Sequence, residues 1–460
     1  MRVVVVGGGI AGLSAALEVR ALRPDAEVVV FEASGRLGGK VAVSEVGGVA
    51  VDEGADSMLT RVPDGLALVR SAGLEAELVS PAAAQAAVWS RGRLHPLPSG
   101  TLLGLPTDLA ALARSELLSA TGLARVPLDL VLPGTAVDED VSVGTLVARR
   151  FGREVVERLV DPLLGGVYAG RADDLSLRAT LPQLVPHVAR SRSLLRAASA
   201  ARRATPPTDG PMFASLPGGL GRLPAGVARA AGADVRLRTT VRELSRTPTG
   251  WRLTTGSATD PRRFDADAVV LAVPAAPAAH LLAGTIDTTD LAALQYASVA
   301  IVTLVLDGPT PGQGSGYLVP AVDGRTTKAV TFTSRKWGHG SGSPAVVRAS
   351  VGRSGEARVL QRDDPELVAL VLAELAEAVG PLPRLVDSRV VRWGGGLPQY
   401  AVGHLDRVRR TRDAVAAHPG LAVAGAAYDG VGVPACARSG REAARVAVRH
   451  DGGHDRRRPA

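Results

Sequence analysis

Val3-Val4-Val5-Val6-Gly7-Gly8-Gly9-Ile10-Ala11-Gly12 stands at the start of the chain, directly behind Met1-Arg2. Four β-branched residues in a row predict a central parallel strand buried on both faces. The glycines at 7, 9 and 12 read as GxGxxG, and a helix is expected over Leu13 to Leu22, broken by Pro24-Asp25. A second strand, Glu27 to Phe31, ends at Glu32. Gly7 permits the tight turn, Gly9 lets the backbone approach a pyrophosphate, and Gly12 lets helix and strand pack closely. The helix amino terminus offers free N–H groups to phosphate oxygens. Glu32 is placed to accept from a ribose hydroxyl. Strand, glycine turn, helix and acid together predict a dinucleotide site over Gly7, Gly8, Gly9, Ile10, Ala11, Gly12, Glu32 and Ala33.

The choice between dinucleotides rests on Gly35-Arg36-Leu37-Gly38-Gly39-Lys40, just after Glu32. This RxGG segment resembles the second fingerprint of glutathione-reductase-like flavoproteins, in which a glycine doublet lets a loop pass close to FAD. Arg36 and Lys40 can offset pyrophosphate charge, with Gly39 between them. Plain NAD dehydrogenases lack the segment, so FAD is the expected cofactor. Gly54-Ala55-Asp56-Ser57, behind a hairpin near Gly47, is expected to reach the flavin through its backbone.

Further along, residues 60–78 read as helix and 86–98 as a hairpin turning at Arg91-Gly92-Arg93. A mostly helical block covers about 105–205, with helices expected over Leu109–Leu118, Val143–Leu159 and Leu181–Ala201. Ala204 to Gly210 is a linker by composition. Strands are expected over Val235–Val241, Trp251–Thr255 and Asp267–Pro274, then over 296–307, 328–351 and Arg389–Trp393. A helix is expected over Asp364–Ala378, and a last strand at Leu421 leads to a helix from Ala435 to His450. The implied plan is α/β. A Rossmann-like FAD-binding domain of the glutathione-reductase/p-hydroxybenzoate-hydroxylase type is assembled from 1–80, 210–284 and 393–450. An antiparallel-sheet substrate domain takes 81–104 and 285–392, a helical subdomain takes 105–209, and a disordered tail takes 451–460.

The chain has 460 residues, 46% hydrophobic and 21% charged, as ordinary globular domains do. Its formal charge is +8. Lys40, Lys328 and Lys336 are the only lysines, so arginine carries nearly all positive charge, as a GC-rich coding sequence gives. No nucleic-acid reader motif accompanies that charge, and no nucleic-acid partner is expected. Cys436 is the one cysteine, which excludes an internal disulfide and reads as a small, buried residue. No metal-ligand spacing stands out. The strand beginning at residue 2 leaves no room for a signal peptide, and no run of about 18 apolar residues occurs. A cytoplasmic protein is expected, with peripheral contact on the inner face of the cell membrane left open.

Four segments then resemble the protoporphyrinogen and coproporphyrinogen oxidases within the amine-oxidase-like flavoproteins: Asp161 to Gly170 (DPLLGGVYAG), Leu216 to Leu220, Leu397-Pro398-Gln399-Tyr400 with Gly403-His404, and Tyr428 to Cys436. The resemblance runs from residue 1 to about 448. It implies further FAD contacts at Val241 (main chain), Ala426, Val431, Gly432 and Val433. Trp393 and Lys336-Trp337 resemble family positions without an assigned role. The implied reaction removes six electrons from an anionic porphyrinogen by hydride transfer to flavin N5, with three O2 reduced to hydrogen peroxide and no catalytic side chain required. A haem-pathway enzyme that takes the product is left open as a partner. Coproporphyrinogen III carries four propionates and protoporphyrinogen IX two. The arginine-rich chain suits the more anionic macrocycle, and Arg61 is the first candidate for a propionate contact.

The alternatives are protoporphyrinogen IX oxidase and flavin amine oxidase. Amine oxidases often keep a lysine near the flavin on the strand resembling Tyr296–Leu306, and this chain has none there. A carotenoid desaturase fits the amino terminus but not the 161–170 segment, and a non-catalytic module that retains FAD is left to turnover to exclude. His404 reads first as a hydrogen-bonded turn residue and second as catalytic. His95 reads as structural.

Overall fold

The computed structural model describes residues 1–134, 139–204, 210–338 and 344–449. The valine run forms the strand Arg2–Val6 at the centre of a five-stranded parallel sheet. Its neighbours are Ala268–Leu271 on one side and Glu27–Phe31 on the other, with Leu421–Val423 and Asp234–Arg236 at the edges. Val3 and Val5 face the helices Ile10–Leu22 and Val433–Val448, while Val4 and Val6 face Trp251 and Leu253 of a three-stranded antiparallel sheet. Burial on both faces is why the run shows no polar alternation. Gly440 permits the crossing of the two helices, since a Cβ there would lie 1.9 Å from the Ala11 carbonyl oxygen.

The second layer is a seven-stranded sheet in the order Arg384–Pro398, Tyr296–Asp307, Ala345–Val351, Thr327–Phe332, Gly316–Leu318, Ala86–Ser90, Arg93–Pro96. It is antiparallel except where Gly316–Leu318 runs parallel to Ala86–Ser90. The strand Arg384–Pro398 is longer than the expected Arg389–Trp393, and it carries the sheet past the boundary expected at 393. The helix Asp364–Val379 covers one face through Leu367, Val371 and Leu375. The other face turns toward the nucleotide-binding layer.

Residues 105–134 and 139–204 form short helices around their own core, from Leu105 and Leu112 to Ala201. Two expected helices are divided. Gly152, at φ +93°, ends Val143–Phe151 before the chain resumes helically at Arg153. The expected Leu181–Ala201 helix is instead a short turn at Val185–Val188 and a helix Leu194–Ala204. Fully buried Asp129 explains the break: its carboxylate accepts from Leu194 N (3.1 Å), Leu195 N (2.9 Å) and Ser193 Oγ (2.6 Å), and pairs with buried Arg150. A cap supplied from another segment restarts the helix there. The strand expected over Val235–Val241 likewise splits into Asp234–Arg236 and Val241–Thr247, which belong to different sheets. The helix expected over 60–78 is Pro63–Ser71 followed by a short turn at Glu75–Glu77. The final helix is Val433–Val448, with His450 outside the described residues. Most of the linker (205–209) and the tail (451–460) also lie outside them.

Candidate active site

The nucleotide end is built from backbone. Gly7, at φ +108°, donates its N–H to Phe31 O (2.8 Å), and an added Cβ would lie 2.5 Å from the Ala272 carbonyl oxygen. A Cβ on Gly12 would lie 1.9 Å from the Gly7 carbonyl oxygen, so that glycine serves strand–helix packing. Gly9 differs: nothing comes closer than 4.0 Å to a Cβ built there. Its bareness therefore keeps a groove open. Gly9 also starts the helix Ile10–Leu22, which has no side-chain cap and no acid in its first turn, so its first N–H groups stay free for an anion. Glu32 spans the loop, accepting from Gly8 N and Ser34 N at 2.7 Å each, and a carboxylate retains lone pairs for a ribose hydroxyl.

The RxGG loop is hydrogen-bonded to the fingerprint itself. Gly38 N donates to Gly8 O (2.8 Å), and Gly39, at φ +57°, lies against Gly9. Arg36 lies over the Trp393 ring at 5.8 Å, and exposed Ala33 stands at the turn between strand and loop. Lys40 is exposed, and partial desolvation by the surrounding protein lowers its pKa while the nearby Cys436 sulfur opposes the shift. Half-buried Cys436 is pushed up to about 11, first by burial, so it is a neutral thiol at physiological pH. Ala55 N donates to Lys40 O (3.1 Å), which fastens Gly54–Ser57 to the same loop. Val241 comes just after the segment that pairs with Glu32 and Ser34 through Thr239 N and Arg238 N (2.8 Å each).

At the other end, Gly425 and Gly432 adopt φ of +128° and +98°, and a Cβ at either would meet nothing closer than 4.0 Å. Gly432 is the start of Val433–Val448, a second helix without a side-chain cap. Two open glycine grooves, each leading to a bare helix amino terminus, suit a long anionic dinucleotide such as FAD. Val431, Gly432 and Val433 lie at this terminus, and the Ala426 carbonyl accepts from Tyr400 Oη.

Three of the four motif segments converge here. Gln399 Nε2 donates to Tyr168 O (2.7 Å), the Tyr168 and Tyr400 rings lie 5.3 Å apart, and His404 stacks on Tyr400 at 4.3 Å. Burial raises both tyrosine pKa values, that of Tyr168 to about 12. His404 corrects the expectation of a hydrogen-bonded turn. It is the buried first residue of an additional helix, His404–Ala416, and neither ring nitrogen makes a well-formed hydrogen bond, the Ala427 backbone offering only a poorly aligned one. Burial first, and Arg407 second, push it down to about 4, although the Ala427 backbone and Asp140 favour its charged form. It is neutral and sits behind Tyr400. His95 is structural, with both ring nitrogens 3.1 Å from carbonyl oxygens, of Ser115 and Ser90.

The sheet face toward the flavin loop carries the charge. Lys336 Nζ lies 3.0 Å from Asp56 Oδ2, and Arg348 bridges Gly54 O (2.7 Å) and Asp56 (3.4 Å). Burial alone would raise the Asp56 pKa, but Lys336 and Arg348 overcome it, leaving it lowered. Ser57 Oγ adds a bond to Asp56 (2.9 Å). Asp52, with less support, is raised to about 6 by burial, although Arg348 and the Leu220 N–H pull the other way. Trp393 donates to Glu53 O (2.8 Å) and lines an apolar wall with Ala169, Ala297, Val299 and Leu397. Arg61 is exposed beside Met212, outside the Asp56 cluster. Sequence reasoning misses Arg348, because its partners lie some 290 residues away in the chain and no local pattern marks it. Among the described residues no group of His, Cys, Asp or Glu could hold a metal ion.

The family model for flavin containing amine oxidoreductases matches residues 10–448. The coproporphyrinogen III oxidase of Mycobacterium tuberculosis is 40% identical over 441 residues, covering 94% of each chain. That of Bacillus subtilis is 33% identical over 457 residues, 96% of each. The crystal structure of an Exiguobacterium protein, 34% identical, superposes with a TM-score of 0.86 over 96% of this chain and 98% of that one. These likenesses span both sheets and the helical block, and the glycine grooves and converging motif segments agree with them. FAD is the cofactor, and the chain belongs to the flavin containing amine oxidoreductase family, in its coproporphyrinogen III and protoporphyrinogen oxidase group.

Proposed function

We propose that the protein oxidises coproporphyrinogen III to coproporphyrin III, with oxygen as the terminal acceptor. The observation that carries this reading is the sheet face beside the flavin loop, where Arg348 and Lys336 share one carboxylate, Asp56, next to an apolar wall. A flat macrocycle with carboxylate arms suits such a surface: apolar contact for the rings beside two cations that share a single carboxylate and so leave one positive charge in excess. A flavin amine oxidase is less well supported, since the strand Tyr296–Asp307 carries no lysine.

FAD, when bound, supplies the two-electron acceptor that oxygen regenerates. The uncapped helix at Gly9 and the one at Gly432 hold its charged and polar edges, and Glu32 holds its ribose. Trp393, Leu397, Val299, Ala297 and Ala169 keep water from the reacting face. Tyr400 fixes the loop at Ala426 rather than exchanging a proton, its hydroxyl being buried and its pKa raised. Neutral His404 props Tyr400 from behind. No side chain is assigned as a general acid or base.

The same reading places the protein in the cytoplasm, with peripheral membrane contact and a haem-pathway enzyme as recipient of the product. Among the described residues no helix is long and apolar enough to cross a membrane. Leu128, Leu130 and Val131 are exposed together in the helical block, and they are the side chains assigned to membrane contact. Aerobic incubation of the flavin-loaded protein with coproporphyrinogen III tests the reaction: porphyrin fluorescence and hydrogen peroxide rising together are expected. Fluorescence no faster than autoxidation would remove the assignment.

A further inference from the structure

Lys328 is one of three lysines in the chain, and it is 6% exposed. Burial and a neighbouring cation are the influences on its ammonium group, and no carboxylate is among them. That cation is Arg353, also buried, which spends its donors on the carbonyls of Val319 (3.1 Å), Arg325 (3.1 Å) and Thr327 (3.4 Å) and on Glu356 (3.4 Å). A buried ammonium beside a guanidinium is costly, and the cost is relieved by losing the proton or by an anion that completes the site. Burial, with Arg353 second, has pushed its pKa down to about 7.

The backbone places this lysine on the flavin side of the seven-stranded sheet. A register shift between Thr327 and Ala329 makes Lys328 and Ala329 together oppose Ser350. Such a bulge re-aims a side chain toward the face of the residue it opposes. Ser350 lies two residues beyond Arg348 on the same strand, hence on the same face and roughly 7 Å further along it. Arg348 is the residue that reaches Gly54 O. On the neighbouring strand Leu318 pairs with Ala329 and lies under Gly166 of the helix Asp161–Tyr168, where a Cβ would be 3.5 Å from Leu318 Cδ2. Gly166 and Val167 of that helix are exposed, and the helix passes Leu318 at ordinary contact distance with a glycine.

We propose that Lys328 anchors a carboxylate of the substrate at the far side of the face that begins with Lys336 and Arg348, and so favours the macrocycle with more propionates. The inference rests on the porphyrinogen-oxidase reading. It makes Lys328 a specificity-determining residue, while the reaction itself needs no proton from it.

The test compares wild type, Lys328→Met and Lys328→Arg as full-length flavoproteins with coproporphyrinogen III and protoporphyrinogen IX. Removing a charged hydrogen bond to substrate is expected to raise KM for coproporphyrinogen roughly ten- to a hundred-fold in the Met variant, with kcat and flavin spectrum little changed. KM for protoporphyrinogen should move less, and the Arg variant should recover part of the loss. The substrate-free Met variant should melt no lower than wild type, because an unneutralised buried charge has been removed. Equal changes in both KM values, or a lower melting temperature with unchanged selectivity, would show a structural lysine and overturn the assignment. A wild-type protein that oxidises neither macrocycle would instead overturn the porphyrinogen reading, and the inference with it.

Discussion

Lys336 Nζ stands 3.0 Å from the Asp56 carboxylate, joining the short helix Thr333–Trp337 at the end of a sheet strand to the flavin loop across 280 residues of sequence. Both side chains are mostly buried, so losing one partner leaves the other desolvated and unpaired. Asp56→Asn is expected to lower stability to urea by roughly 2–4 kcal/mol at pH 7. The pH sign comes from the lowered folded-state pKa of Asp56. Its contribution is present above the unfolded value of about 3.9 and is lost as pH falls through the lower folded one. The two proteins should therefore converge in strong acid. A gap that stays constant down to pH 2 would contradict the pairing.

Asp52 should behave in the opposite sense. Its folded pKa of about 6 lies above the unfolded value, so ionising it costs stability as pH rises through that range. Asp52→Asn keeps an oxygen for the Leu220 N–H and removes the charge. It is expected to gain about 3 kcal/mol at pH 8 and little at pH 4, read from denaturation midpoints at the two pH values. A loss at pH 8 would contradict the sign.

Gly9 and Gly12 separate cofactor binding from folding. Gly9→Ala adds a methyl group to open space, so the protein should fold with native circular dichroism but carry far less flavin per chain. Gly12→Ala drives a Cβ to within 1.9 Å of the Gly7 carbonyl oxygen and should damage the fold itself. Equal flavin content in wild type and Gly9→Ala would refute the assignment of that groove to the pyrophosphate.

The membrane contact is tested by flotation with vesicles containing anionic lipid. Replacing Leu128, Leu130 and Val131 together with serine should reduce co-flotation and leave turnover of dissolved substrate unchanged. Co-flotation unaffected by the replacement would exclude that patch.

Much of this architecture is legible where local chemistry dictates structure. The valine run, the glycine turn and Glu32 predict the central strands, and Gly38 and Gly39 predict the loop that hydrogen-bonds to Gly8. The re-entrant strand Ala268–Leu271 and the last strand Leu421–Val423 are marked by their apolar runs. Tertiary partners decide the rest. Asp129 restarts a helix at Leu194 that looks continuous from Leu181 in the sequence. The helix His404–Ala416 is charged along most of its length and buries only His404, Val408, Thr411 and Val415, a helical spacing that is present in the sequence but masked by arginines. Arg348 and Lys328 are unreadable as site candidates, because one depends on contacts with residues far away in sequence and the other on a bulge.

The most direct measurement is kcat/KM of the flavin-loaded protein for coproporphyrinogen III and protoporphyrinogen IX, recorded side by side as porphyrin fluorescence above an autoxidation blank. Turnover of both is expected, with coproporphyrinogen III clearly favoured at low salt and the preference shrinking as salt screens the cationic face. Preference for protoporphyrinogen IX would contradict the role given to that face, and no turnover of either would contradict the proposed function.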